Sequence, residues 1–103
     1  MQTPEEAIVD TKKLHQALSL VSESFAEAGV PWIADSIDSM INQELELALQ
    51  FLCSNLHEFG CPVPRLAYEL IEQVGHNCVG TEWARSLGLE TDTWEMLMPQ
   101  VQS

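Results

Sequence analysis

Between Asn42 and Glu72 the apolar and polar positions alternate with a helical period on both sides of a proline-rich corner. Leu45, Ala48, Leu49, Leu52, Cys53 and Leu56 recur at steps of three and four, the spacing that gathers side chains on one face of an α-helix. Glu46, Gln50, Ser54 and His57 fall on the other side. The pattern predicts a helix over about 43–59, with Leu47 and Phe51 widening its apolar stripe enough for more than one neighbour. Gly60-Cys61-Pro62-Val63-Pro64 then stops it, because glycine accepts the left-handed conformation of a helix end and proline cannot continue the ladder. Pro64 is suited to open the next helix, which places Leu66, Ala67, Leu70, Ile71 and Val74 inward and Arg65, Glu69, Glu72 and His76 outward. A helical hairpin is the predicted centre of the fold.

Upstream, Thr3-Pro4-Glu5-Glu6 reads as a capping box with proline at the first helical position. Leu14, Ala17, Leu18, Val21, Phe25 and Ala28 carry the stripe of a first helix over 4–28, ending at Gly29. Trp32, Ile33, Ile37, Met40 and Ile41 define a shorter second helix with Asp35, Ser36, Asp38 and Ser39 on its wet side; Asn42-Gln43 is the preferred break before the third, the alternative being one continuous helix from Trp32 to Phe59. Downstream of Val74 the pattern fades, since Gly75 and Gly80 each lower helix propensity by about 1 kcal/mol. One or two turns over 81–88 are expected, then a last turn through Trp94, Met96, Leu97 and Met98, capped by Thr91 or Asp92 and stopped at Pro99. Gln100 to Ser103 are expected to fray. The fold class expected is all-α: one domain over residues 1–103, four to five helices bundled around the central helix at 43–59.

Composition supports this and adds a constraint. A chain of 103 residues, 46% hydrophobic, suffices for one core. Its formal charge of −12 opposes direct binding to nucleic-acid phosphates or anionic membranes and favours a cationic partner. An acidic balance also serves solubility alone, the simplest role for any single carboxylate. The three cysteines are odd in number, and Cys53 lies in an apolar stripe, so no disulfide framework is expected. The start MQTPEEAIVD lacks the basic and apolar regions of a signal peptide. A cytoplasmic location is the expectation.

Candidate chemistry is sparse. Of the histidines His15, His57 and His76, His57 pairs with Cys61 four residues on and His76 with Cys78 two on, ligand types for a zinc site, but no Cys-x-x-Cys knuckle fixes them, and His57 and Cys61 straddle a helix end. No metal or other cofactor is expected. Cys61 is the one candidate for a reactive thiol, and the carboxylates around it are expected to raise its pKa rather than lower it. No nucleophile motif, glycine-rich phosphate loop or metalloprotease signature is present, so a binding protein is expected rather than an enzyme.

The specific feature left is the set of carboxylates Asp35, Asp38, Glu44, Glu46, Glu58, Glu69 and Glu72. If their helices are neighbours, these form an acidic surface that steers a basic partner. Trp32, Tyr68, Trp83 and Trp94 are candidate anchors at its edge, although an aromatic residue in a small domain belongs more often to the core.

The segment from Leu47 to Gly75, LALQFLCSNLHEFGCPVPRLAYELIEQVG, resembles the central part of MafI-type immunity proteins, small bacterial proteins encoded beside polymorphic toxins. The likeness rests on Ile33, Ile37, Met40 and Ile41 in a short helix, Leu47-Ala48-Leu49 with Leu52-Cys53, an aromatic-ended helix, a proline turn, and Tyr68-Glu69-Leu70-Ile71. It spans about residues 30–75, with an echo in Trp94-Glu95-Met96-Leu97 and Pro99. The first helix is longer than in that family, and 76–86 looks inserted. These are core positions, which bear on fold more than on function. The resemblance implies an immunity protein of the contact-dependent growth inhibition kind, which binds and blocks the catalytic domain of a cognate toxin; it supplies no binding residue. The acidic charge implies that the toxin is a basic nuclease. The alternative is an acidic adaptor or nucleic-acid mimic that regulates a nucleic-acid-binding protein.

Overall fold

The computed structural model describes residues 4–78 and 94–102. It is an all-α bundle of α1 (Pro4–Glu27), α2 (Trp32–Ile41), α3 (Leu45–Glu58) and α4 (Arg65–Cys78), closed by a 3₁₀ helix, η1 (Glu95–Gln100). Thr3, Gly80, the turns expected over 81–88, and the caps Thr91 and Asp92 lie outside the described residues.

Hydrogen bonds between distant residues set the helix directions. His15 on α1 meets Asp38 near the end of α2, so α2 runs back along α1. Ser24 Oγ, near the end of α1, donates to the Pro62 carbonyl at 3.0 Å, and Asn77 Nδ2 on α4 donates to Asp10 Oδ1 near the start of α1 at 2.9 Å. Thus α4 is antiparallel to α1 and α3 runs parallel to it, giving up-down-up-down order with short connections, the simplest way for four amphipathic helices to share one core. The break after Ile41 falls where the pattern predicts it. There, the amides of Gln43 and Glu44 both bond to the Met40 carbonyl. Gly60 closes α3 with a φ of 60°, and Gly29 ends α1 in the same way with a φ of 84°.

The core joins Leu14, Leu18, Val21 and Phe25 of α1, the three isoleucines of α2, and Leu49, Leu52, Cys53 and Leu56 of α3. Ala67, Ile71 and Val74 of α4 complete it, with Trp94 and Leu97. The α3 stripe is buried as predicted, and α3 packs on every other helix. Alpha-helical wheel position explains one departure on α4. The buried arc runs from Leu70 through Val74, Ala67 and Ile71 to Tyr68, and at 100° per residue Leu66 falls about 40° outside it, so Leu66 is exposed rather than inward. Ala28, Trp32 and Phe51 are likewise exposed. Ala28 and Trp32 stand at helix ends beyond the reach of the core, and Phe51 faces away from the α3 stripe.

Two expectations for the C-terminal part are corrected. α4 passes through Gly75 to Cys78 because the missing side chain there admits the ring of Trp94. Gln100 to Gln102 are tied rather than frayed, and Ser103 lies outside the described residues. Gln100 Nε2 donates to the carbonyls of Leu56 at 2.6 Å and Cys61 at 2.9 Å, adding a second donor to the Leu56 carbonyl, which also accepts the Cys61 amide. Val101 and Gln102 then form a two-residue parallel pairing with Val63 and Pro64, so α4 opens at Arg65 and Pro64 belongs to this bridge. Pro99 is accommodated inside η1.

Candidate interaction surface

The seven singled-out carboxylates are all exposed or half-buried, and the fold separates them into groups. Glu44 and Glu46 start α3 and Glu58 ends it. Twelve residues of rise between Glu46 and Glu58 put them about 18 Å apart. Because α2 and α4 run opposite to α3, Asp35 and Glu69 lie toward the Glu58 end. Asp38 and Glu72 stand further along, and Glu44 and Glu46 occupy the other end. One continuous seven-carboxylate cluster is therefore not formed.

Asp35 and Asp38 border an open groove of about 190 Å³ between α1 and α2, lined also by His15, Leu18, Ser19, Ser22 and Ala34. Within it, His15 Nδ1 lies 2.9 Å from Asp38 Oδ1, and its Nε2 lies 3.4 Å from Asn42 Oδ1. Both ring nitrogens lie beside side-chain oxygens of α2 and its C-cap. Ser22 Oγ instead donates to the Ser19 carbonyl at 3.0 Å. The groove thus contains a pairing that fastens α2 to α1, with its serine hydroxyl turned to the backbone. The His15 partnership joins residues 23 apart, with no local pattern to announce it.

On α4, Glu69 lies 3.9 Å from Arg65 Nε with both side chains well exposed, a pair worth well under 1 kcal/mol. Glu72 is half-buried beside Tyr68. Burial, then the negative charges of Glu72 and Glu95, push the Tyr68 phenol above its usual pKa.

The aromatic candidates divide sharply. Trp94 is 1% exposed and Tyr68 8%, both core residues, whereas Trp32 is 62% exposed on the first turn of α2. Trp83 lies outside the described residues. His76 is exposed, with its ring edge-on to Trp94 at 4.9 Å, and His57 is exposed on α3.

Cys61 is 2% exposed, with its thiol directed at the Ser24 carbonyl at 3.9 Å. Its pKa is raised by burial, not by the carboxylates expected to do so. Cys53 is fully buried, which pushes its thiol up to about 12. Both are free thiols and both are poor nucleophiles in these surroundings. Among the described residues no His, Cys, Asp and Glu side chains gather in a group able to hold a metal ion, and no helix is long and apolar enough to cross a membrane.

Charge is distributed unevenly along the fold. From Leu14 to Pro64 there is no lysine or arginine, while Glu23, Glu27, Asp35, Asp38, Glu44, Glu46 and Glu58 all occur there, none of them buried. Lys12 and Lys13 stand apart on the early turns of α1, near the exposed Ile8 and Val9. Comparison of the chain with family models, curated proteins and solved structures finds no match.

Proposed function

We propose that this protein is an immunity protein that binds a basic toxin domain, most simply a nuclease, and neutralises it by occlusion. The observation that carries the reading is the stretch Leu14–Pro64, three helices with solvent-facing carboxylates and no lysine or arginine. Six of those seven carboxylates have no ion-pair partner among the described residues; Asp38 alone is engaged, by His15. Unpaired surface carboxylates of one sign raise the association rate of a cationic protein and repel nucleic acid. A nuclease must present a basic surface to phosphates, and that is the surface such an inhibitor would cover. The resemblance of Leu47–Gly75 to MafI-type immunity proteins supports the same reading.

The direct test is co-expression with the product of the adjacent gene. Co-purification together with rescue of growth is the expected result, and loss of both removes the proposal. Capture instead of a host nucleic-acid-binding protein that competes with DNA or RNA for the same site would favour the mimic.

A further inference from the structure

We infer that the partner docks on one end of the bundle, where the α1–α2 turn meets the α3–α4 corner, with Trp32, Phe59 and Leu66 as apolar anchors inside an acidic rim. This deepens the inhibitor reading and rests on it.

The helix directions place these three residues at the same end of the bundle. Trp32 opens α2, Phe59 caps the end of α3, and Leu66 lies in the first turn of α4. The bonds of Ser24 to Pro62 and of Cys61 to Ser24 hold the α3–α4 corner on the last turns of α1, and the Val30 amide bonds to the Phe25 carbonyl to fix the adjoining turn. On this end Trp32 is 62%, Phe59 41% and Leu66 49% exposed. Large exposed apolar side chains at one end of a small domain are the usual material of an interface, and tryptophan is enriched among hot-spot residues. Pro31 and Pro62 restrict the two connections, so little ordering remains to be done on binding.

The charges around these anchors select the occupant. Glu27, Asp35, Glu58 and Glu69 belong to the same end, against Arg65, which is already beside Glu69, and the exposed His57. A second copy of this chain would set two acidic rims against each other, a costly juxtaposition. A basic protein surface with an apolar hollow is the matching partner. The opposite end is mixed in charge: the exposed Ile8 and Val9 lie near Lys12 and Lys13 on α1, with Glu44 and Glu46 at the start of α3.

The test uses the full chain and, as probe, the purified toxin domain encoded by the adjacent gene, with kinetics followed by surface plasmon resonance. Trp32→Ala is expected to weaken binding at least about 30-fold, mainly through faster dissociation, and Phe59→Ala and Leu66→Ala about 5-fold or more each. The Ile8→Ser/Val9→Ser double variant is expected to stay within about 2-fold of the unaltered chain. The anchors are exposed, so circular dichroism and thermal midpoint should be unchanged, which separates lost contact from lost fold. Normal binding by the three anchor variants, or loss confined to the Ile8/Val9 variant, overturns the location while leaving the inhibitor reading intact. No binding by the unaltered chain overturns both. A concentration-dependent dimer in sedimentation equilibrium that Trp32→Ala abolishes would assign this end to a second copy and overturn the inference.

Discussion

A methyl group added at Gly75 would collide with the six-membered ring of Trp94, lying 2.5 Å from its Cζ3 and closer still to Cε3. Trp94 is 1% exposed, so the ring cannot swing aside into solvent. Gly75→Ala should therefore destabilise the fold by about 1–3 kcal/mol, the range for overpacking, despite the gain of about 1 kcal/mol in helix propensity. Urea unfolding of the variant checks this. A more stable variant would contradict the packing of Trp94 on α4.

Gln100 anchors the chain end through one nitrogen shared between two carbonyls. Gln100→Ala should cost about 1–3 kcal/mol, since the Cys61 carbonyl loses this donor in a part-buried site and the Leu56 carbonyl keeps only the Cys61 amide. Gln102→Ala, at an exposed position that pairs only through its backbone, should change stability by less than about 0.5 kcal/mol. Amide exchange at 59–64 should quicken in the first variant and not in the second.

Alkaline pH should loosen the protein chiefly through Cys53. In the unfolded chain this thiol ionises near 9, whereas in the fold burial raises it to about 12. The native state keeps a proton that the unfolded state has lost, so the stabilising contribution is complete below pH 9 and disappears as pH rises toward 12. The loss is about 4 kcal/mol at most, from roughly three units at 1.36 kcal/mol each. Cys61 and Tyr68 shift in the same direction. Denaturant unfolding at pH 7.5, 9 and 10.5 should show a shallower alkaline decline for Cys53→Ala than for the unaltered protein; parallel declines would assign the effect elsewhere.

Asp35 and Asp38 share a helix and a groove, but only Asp38 is paired. If the acidic surface steers a partner, Asp35→Asn/Asp38→Asn should slow association and flatten its dependence on salt, with a smaller effect on dissociation. Stopped-flow rates across a salt series provide the measurement. An unchanged slope would exclude this face from the encounter. The loss of the His15 pairing should itself cost less than about 1 kcal/mol of stability, because Asp38 is 63% exposed and such pairs are screened.

Helix periodicity is a local property, so the sequence by itself determined the apolar stripes of the main helices, the glycine stop at Gly60 and most of the core, whereas the break after Ile41 was decided against a continuous helix only by the structure. Leu49, Leu52 and Ile71 are buried where spacing alone puts them. The sequence also determined the charge of −12 and hence the class of partner worth testing.

Tertiary structure decided what depends on residues far apart in the chain. Only the packed bundle places Trp94 against Gly75, turning a weak helix position into a necessary one, and brings Gln100 to Leu56 and Cys61, so that an apparently loose end becomes a clasp. It buries Tyr68 and Trp94 while leaving Trp32 in water, a division that composition cannot make because all three are equally apolar in outline. It also sends Glu44 and Glu46 to one end and Glu58 to the other. The physical reason is common to all of these. A period of 3.6 residues specifies which face of a helix is apolar, but which neighbour covers that face, and where it runs out, is set by helix direction and by contacts that no local pattern encodes.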